Sequence, residues 1–109
     1  TLIFDEIDAG ISGRTAQKVA EKLAQISRAR QVLCITHLPQ IAAMADNHYL
    51  IEKHTEGERT ITTVHELSDE EKVEEIGRLT GGVEITRSVR ESAAEMKKMA
   101  EQFRKTCLK

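Results

Sequence analysis

An apolar run near the start of the chain ends in two adjacent carboxylates, and this junction constrains the fold more than any other stretch. Leu2 to Phe4 have the length and character of a buried strand, and Asp5 and Glu6 follow them directly. Charge is costly inside a sheet, whereas at the carboxyl end of a strand a ligand or metal ion can compensate it. The junction therefore predicts a site for chemistry at the end of a strand.

The sequence after these carboxylates predicts a helix and a second strand. A helix start at Ser12, Gly13 or both precedes apolar residues that recur at helical spacing through Ile26, and residues 31–35 form a second apolar run of strand length. A strand, a helix and a strand with short connections favour a right-handed crossover with parallel strands. The two carboxylates should then leave the sheet at the same edge as His37, which follows the second strand.

The middle of the chain predicts a short helix and a β-hairpin. Pro39 suits the first turn of a helix that ends near Met44. Residues 48–53 and 59–67 have strand character on either side of a turn from Thr55 to Glu58, and their polar alternation indicates a partly exposed ribbon. Three histidines of this region have no metal-ligand spacing and are predicted to lie on the surface: His48, His54 and His65.

Two helices are predicted after the hairpin. Ser68 and Glu71 have the spacing of a capping box, and the helix that they open should end at Gly81 and Gly82. The last helix begins near Thr86 and carries a narrow apolar stripe, which could pack on the body of the domain or form a two-helix seam. The stripe consists of Val89, Ala93, Met96, Ala100 and Phe103.

Charge and apolar content exclude some classes of function. Sixteen basic and eighteen acidic residues give a net charge of −2, which does not favour nucleic-acid binding by the chain as a whole. No apolar run reaches the ~18 residues of a membrane span, and two isolated cysteines indicate a cytosolic protein. The basic residues of the last helix alternate with glutamates and predict a solvated face with ion pairs. They are Arg87, Arg90, Lys97, Lys98, Arg104, Lys105 and Lys109.

The residue types at the predicted sheet edge suit phosphate chemistry. An apolar strand that ends in Asp-Glu is typical of phosphate-loop ATPases, in which the aspartate holds Mg²⁺, usually through water, and the glutamate polarises the attacking water. His37 could donate to a phosphate oxygen across the crevice. A zinc site made by Cys34 and His37 is disfavoured, because residues three apart on a strand point to opposite faces.

Several segments resemble the carboxyl-terminal lobe of the ATPase head in the RecN family, bacterial double-strand-break repair ATPases related to the SMC proteins. The resemblance lies in residues 2–16, 34–40 and 45–53 and extends through 79–82. It implies a partial phosphate-loop NTPase of the ABC/SMC type, an α/β fold with parallel strands, a β-hairpin and C-terminal helices. It also implies that Asp5 is the Walker B aspartate, Glu6 the catalytic glutamate and His37 the switch histidine.

The resemblance places the D-loop, which crosses the dimer interface in these ATPases, at Ala9, Gly10, Ile11 and Ser12. Here the chain departs from the usual SMC pattern, since Ser12 occupies the place of an aspartate. Residues 79–82 look like an ABC signature motif, but they follow the Asp-Glu strand instead of preceding it, and a helix stop explains both glycines.

As a fragment, the chain should supply only half of a composite site. It begins without Met, directly on a strand, and contains no G-x-x-x-x-G-K-[ST] phosphate loop, so it should not hydrolyse ATP by itself. We expect one domain over residues 1–109, with a Walker B, D-loop and switch-histidine part (1–53), a hairpin and helix (54–82) and a terminal helix (83–109). Loss of the other lobe should leave an unpaired sheet edge or an apolar patch.

The complete head is expected to bind ATP and Mg²⁺ in the bacterial cytoplasm, in association with the nucleoid. Its expected partners are the amino-terminal lobe of the same head, a second head in a homodimer and, through the parent protein, DNA; a membrane is not among them. Two alternatives stay open from the sequence. One is the nucleotide-binding domain of an ABC transporter, and the other is a non-enzymatic interaction module that uses the terminal helix.

Overall fold

The computed structural model describes residues 1–5, 10–81 and 84–107. It confirms an α/β chain with two parallel strands, an antiparallel hairpin and C-terminal helices. The elements are β1 (Leu2–Asp5), α1 (Gly13–Ile26), β2 (Val32–Ile35), α2 (Pro39–Ala43), β3 (Tyr49–Glu56), β4 (Arg59–Glu66), α3 (Asp69–Gly81) and α4 (Arg87–Cys107). Every element predicted from the sequence is present, with ends that differ by one to a few residues.

β1 and β2 form a parallel pair, as the strand, helix and strand pattern predicts. The register runs from Leu2 opposite Val32 to Asp5 opposite Ile35. The backbone N–H of Leu2 donates to the carbonyl oxygen of Gln31 at 2.8 Å and extends the pairing by one step. Because the strands are parallel and in register, their carboxyl ends lie at one edge of the sheet.

One face of this sheet is exposed, which corrects the prediction of fully buried strands. The side chains alternate along each strand, and those of Ile3, Leu33 and Ile35 are 69%, 48% and 48% exposed. Parallel sheets are normally covered on both faces, so continuous apolar runs predict burial on both sides. Within the described residues only one side is covered, which confirms the expected apolar patch.

The hairpin is longer and its turn is shorter than the sequence predicts. β3 and β4 pair in antiparallel register up to Glu56 opposite Arg59, so the turn consists of Gly57 and Glu58 alone. Gly57 has a φ of 63°, a conformation that glycine adopts without steric cost. Nearly all of the hairpin is exposed, which confirms the partly exposed ribbon.

The capping box at the start of α3 is confirmed by both of its hydrogen bonds. The Glu71 backbone N–H donates to the Ser68 hydroxyl oxygen at 3.3 Å, and the Ser68 backbone N–H donates to the Glu71 carboxylate at 2.9 Å. The second bond lowers the pKa of the Glu71 carboxyl, because it stabilises the ionised form. The box thus satisfies two backbone donors that the helix itself leaves without partners.

Replacing Ser68 with alanine should lower the free energy of unfolding by about 1 kcal/mol, because the Glu71 N–H loses its acceptor. Urea denaturation of the chain measures the change. Ser92→Ala is the matched control, since Ser92 lies on an exposed face within α4, where alanine favours the helix. Equal stabilities for the two variants would contradict a capping role for Ser68.

The core is built mainly from alanines on α1, α2 and α4. Ile76 of α3 belongs to this core and has no exposed surface, and Met96 and Phe103 of α4 pack against the core cluster. The apolar stripe of α4 therefore packs on the body of the domain, on α2 and α3, which decides between the two possibilities that the sequence left open. The Thr86 hydroxyl oxygen accepts a hydrogen bond from the Val89 backbone N–H at 3.2 Å and caps this helix.

Gly81 ends α3, as predicted, and also permits the close approach of α4. A Cβ atom at this position would lie 3.0 Å from Cγ1 of Val89, which is closer than carbon atoms normally pack. Gly81 therefore both ends α3 and, because it has no side chain, lets α4 pack closely against α3. Gly82, the other predicted stop residue, lies outside the described residues.

None of the helices in the described ranges combines the length and the apolar character needed to cross a membrane. α4 has 21 residues, but charged side chains occur along its whole length.

Candidate functional site

The carboxyl ends of β1 and β2 lie side by side, as the topology predicts. Asp5 is the last residue of β1 and pairs with Ile35, the last residue of β2. His37 follows two residues later, and the side chains of Asp5 and His37 are both exposed. The fold therefore brings an acid and an imidazole to the same edge of the sheet.

Two of the predicted site residues lie outside the described residues, namely Glu6 and Ala9. Their predicted roles, catalytic glutamate and part of the D-loop, stay predictions. Gly10, Ile11 and Ser12, the other residues of the D-loop position, are described and lead directly into α1.

Ser12 has a structural role at the start of α1. Its hydroxyl oxygen accepts a hydrogen bond from the Thr15 backbone N–H at 3.4 Å, which confirms the predicted helix start. Gly10 has a φ of 78°, so the chain turns there in a conformation that favours glycine. Serine can cap the helix here as well as the aspartate of the usual SMC pattern would, because both side chains are good N-caps.

The turn after His37 leads at once into α2. The Thr36 hydroxyl oxygen accepts a hydrogen bond from the Leu38 backbone N–H at 3.0 Å, and Pro39 begins the helix. Only Leu38, which packs partly against the core, separates His37 from α2. The position of α2 therefore limits where His37 can lie.

Gln40 connects α2 with the start of α1. Its side-chain nitrogen is so close to Gly13 that a Cβ atom there would lie 3.1 Å from it. Its side-chain oxygen is buried and has no hydrogen-bond partner among the described residues. Sequence reasoning missed this residue, and its place one residue after Pro39 carries no signal for such a contact.

The carboxyl end of α2 is held by basic side chains from two other helices. Nζ of Lys97 donates to the carbonyl oxygens of Ala43 and Ala45 at 3.0 and 3.1 Å. Nη1 of Arg104 donates to the carbonyl oxygen of Met44 at 3.0 Å, and its guanidinium also pairs with the Asp46 carboxylate. From α3, Nζ of Lys72 lies 3.3 Å from the Asp46 carbonyl oxygen. We call Lys72, Lys97 and Arg104 the α2 clamp.

The α2 clamp corrects the prediction that the basic residues of α4 are simply solvated. Burial lowers the pKa of the Lys97 ammonium group, and the charge of Lys72 lowers it further, against the opposing effects of Glu101 and Asp69. Burial also lowers the pKa of Arg104. The carbonyls at a helix end carry partial negative charge and compensate these partly buried cations. Other basic residues of α4 follow the prediction, such as Arg87, which pairs with Glu91 one turn away.

His48 lies between α2 and β3 and is partly buried, which contradicts its prediction as a surface residue. Burial lowers the pKa of its imidazole, nearby Lys97 and Lys72 act in the same direction, and Glu75 opposes them. Its Nδ1 atom is buried without a hydrogen-bond partner among the described residues. His54 and His65 are exposed, as predicted.

A metal site made entirely of protein ligands is not found in the described ranges. No group of three or more His, Cys, Asp or Glu side chains within residues 1–5, 10–81 and 84–107 is arranged to hold an ion. Asp5 by itself has the chemistry for Mg²⁺, because this ion is usually held by one or two carboxylates together with waters and substrate phosphates.

Comparison with known proteins finds relatives that share one name, DNA repair protein RecN. The chain is 53% identical over 106 residues to DNA repair protein RecN of Bacillus subtilis, a match that covers 97% of the chain. It is 55% identical over 100 residues to the RecN protein of Halalkalibacterium halodurans, which covers 92% of the chain. The RecN protein of Deinococcus radiodurans is 49% identical over 82 residues, or 75% of the chain. No family model matches.

The first two of these relatives are much longer than the chain, which spans 18% of their length. The third is matched over 14% of its length. Identities of 53% over 106 residues and 55% over 100 residues show common descent. This chain therefore belongs to the RecN family.

Proposed function

We propose that the chain is the carboxyl-terminal lobe of an ATP-hydrolysing, SMC-like head in a RecN-type DNA repair protein. The observation that carries the proposal is the parallel register of β1 and β2, which brings Asp5 and His37 to one edge of the sheet. The names of the RecN relatives support the repair role. In this proposal Asp5, Glu6 and His37 form the metal-binding and water-activating half of the site.

Each of the three residues has a role that suits its chemistry. The carboxylate of Asp5 would hold Mg²⁺, usually through water. Glu6 would orient the attacking water and accept its proton. His37 would donate a hydrogen bond to the terminal phosphate group. ATP would supply the phosphoryl group, and Mg²⁺ would neutralise the negative charge that develops on it.

The exposed sheet face supports the idea that the chain is one lobe of a larger head. This face carries an exposed apolar surface formed by Ile3, Leu33 and Ile35. Removing such a surface from water is favourable, at roughly 25 cal/mol per Å². The chain also has no phosphate loop, so the amino-terminal lobe of the same head would supply the phosphate-binding residues. By itself the chain should be inactive.

The remaining proposed partners belong to the complete parent protein. Two heads would form a homodimer around ATP, with residues 9–12 at the interface, and the parent would act on DNA at breaks in the nucleoid of the bacterial cytoplasm. The RecN relatives favour this assignment over the nucleotide-binding domain of a transporter. An interaction module without catalysis stays the alternative that experiment must exclude.

Replacement of His37 by glutamine in the full-length parent protein tests the proposal. We expect the rate of ATP hydrolysis to fall by about 100-fold or more, while nucleotide binding is retained. His54→Gln is the matched control, because His54 is exposed on the hairpin and should tolerate the change. ATP turnover and nucleotide affinity are measured for both variants. Full turnover in His37→Gln would exclude the assigned role.

A further inference from the structure

α2 is a weak helix by itself, and its position must be decided by contacts with the rest of the fold. It has five residues, and its N-cap residue Leu38 makes no side-chain capping bond. Helices this short are unstable in isolation, because nucleation costs more than a few hydrogen bonds return. Burial of Ile41 and Met44 fixes one side of α2, and the α2 clamp holds its carboxyl end.

The contacts of the α2 clamp are specific to the backbone of this helix end. Lys97 and Arg104 together donate to the carbonyls of three consecutive residues, Ala43, Met44 and Ala45. Past the end of α2 there is no further helical turn whose N–H groups could donate to those carbonyls. Both basic side chains come from α4, so α4 fixes the distal end of the helix whose proximal end follows His37.

We propose that Lys97 and Arg104 are positioning residues for His37. They hold the carboxyl end of α2, and the helix transmits that position through Leu38 to the histidine at the sheet edge. The inference rests on the proposed function, since it assigns the terminal helix a part in placing a residue of the ATPase site. It also explains why two cations of α4 are partly buried while their neighbours Lys98 and Lys105 are exposed.

The proposal predicts that loss of Lys97 acts through His37. Lys97→Met keeps the apolar stem and removes the charge and the donors. In the full-length parent protein we expect kcat for ATP hydrolysis to fall about 10- to 100-fold, with KM for ATP changed less than about threefold. In the His37→Gln background the same substitution should change kcat less than about twofold, because the group that it positions is gone.

Two control variants and a second test variant accompany this double-mutant comparison of Lys97→Met and His37→Gln. Lys98→Met and Lys105→Met remove exposed charges from the same helix and should leave kcat unchanged. Arg104→Met should reproduce the effect of Lys97→Met and likewise lose it in the His37→Gln background. Equal loss of kcat from Lys97→Met in both backgrounds, or no loss in either, would overturn the proposal.

Amide hydrogen exchange of the nucleotide-free parent protein gives a readout that does not depend on activity. Lys97→Met should speed exchange in residues 38–46 and leave α1 and the hairpin unchanged, whereas faster exchange throughout the lobe would show a general structural role and overturn the proposal. If His37→Gln does not affect turnover, the proposed function fails. Exchange in residues 38–46 still decides whether the α2 clamp holds this helix.

Discussion

Replacing Glu6 with glutamine in the full-length parent protein should lower ATP turnover by about 10²- to 10⁴-fold, while ATP binding is retained. Glutamine keeps the size of the side chain but cannot accept the proton of the attacking water. Asp5, one residue earlier, would still hold Mg²⁺, so the nucleotide should bind with nearly unchanged affinity. Steady-state turnover and equilibrium nucleotide binding measure the two quantities.

Glu58→Gln is the matched control for this substitution. Glu58 lies in the exposed turn of the hairpin and has no place in the proposed site, so its replacement should not change turnover. Retained ATP hydrolysis in Glu6→Gln would remove Glu6 from the catalytic role. A collapse of turnover together with loss of nucleotide binding would instead point to a role in binding.

Replacing Ile76 with alanine should lower the free energy of unfolding by about 2 to 5 kcal/mol. Ile76 has no exposed surface, and it is the only large side chain among the described residues that is fully buried. The other buried residues of the core are mostly alanines, whose single methyl groups can fill little of the cavity. The loss is large compared with the ~5–15 kcal/mol that stabilises a typical domain.

Urea denaturation of the chain measures this effect, and Ile51→Ala is the control. Ile51 lies in β3 with about half of its side-chain surface exposed, so truncation there removes less buried surface and leaves no cavity. Ile76→Ala should therefore unfold at a clearly lower urea concentration than Ile51→Ala. Similar midpoints for the two variants would contradict the larger contribution that we expect from the buried Ile76.

Much of the fold could be predicted because its signals are local. The capping box of Ser68 and Glu71, the helix start at Ser12 and the alternation of the hairpin each depend on residues close in sequence. The hairpin turn was predicted too long because Thr55 and Glu56 continue the ladder with Thr60 and Arg59. In an exposed hairpin, polar residues occur both in the paired strands and in the turn, so the sequence pattern does not show where the pairing ends.

The two residues at the sheet edge could also be predicted, because topology follows from the order of the elements. A short crossover helix between two strands makes them parallel, and parallel strands end at the same edge. That reasoning placed Asp5 beside the strand that leads to His37. It could not find Gln40, whose contact with Gly13 depends on how α2 packs against α1.

The partial burial of basic and histidine side chains was not predictable from their sequence pattern. Lys97 and Arg104 donate to backbone carbonyls that lie 52 to 60 residues away in the chain. Every residue has a backbone carbonyl group, so the sequence cannot show which carbonyl oxygens will accept these hydrogen bonds. His48 was likewise predicted to lie on the surface, although it is partly buried and charged residues of α3 and α4 act on its imidazole.

The sequence by itself determined the elements and the parallel pairing of β1 and β2, because short-range patterns and chain order carry that information. It also supplied the residue types from which the roles of Asp5, Glu6 and His37 are proposed. Only the tertiary structure decided that α4 packs on the body of the domain, that Lys97 and Arg104 hold α2, and that Ile3, Leu33 and Ile35 stay exposed. Those outcomes depend on which parts of the chain that are distant in sequence come into contact. The sequence pattern around an apolar or charged residue is the same whether the fold buries that residue or leaves it exposed to water.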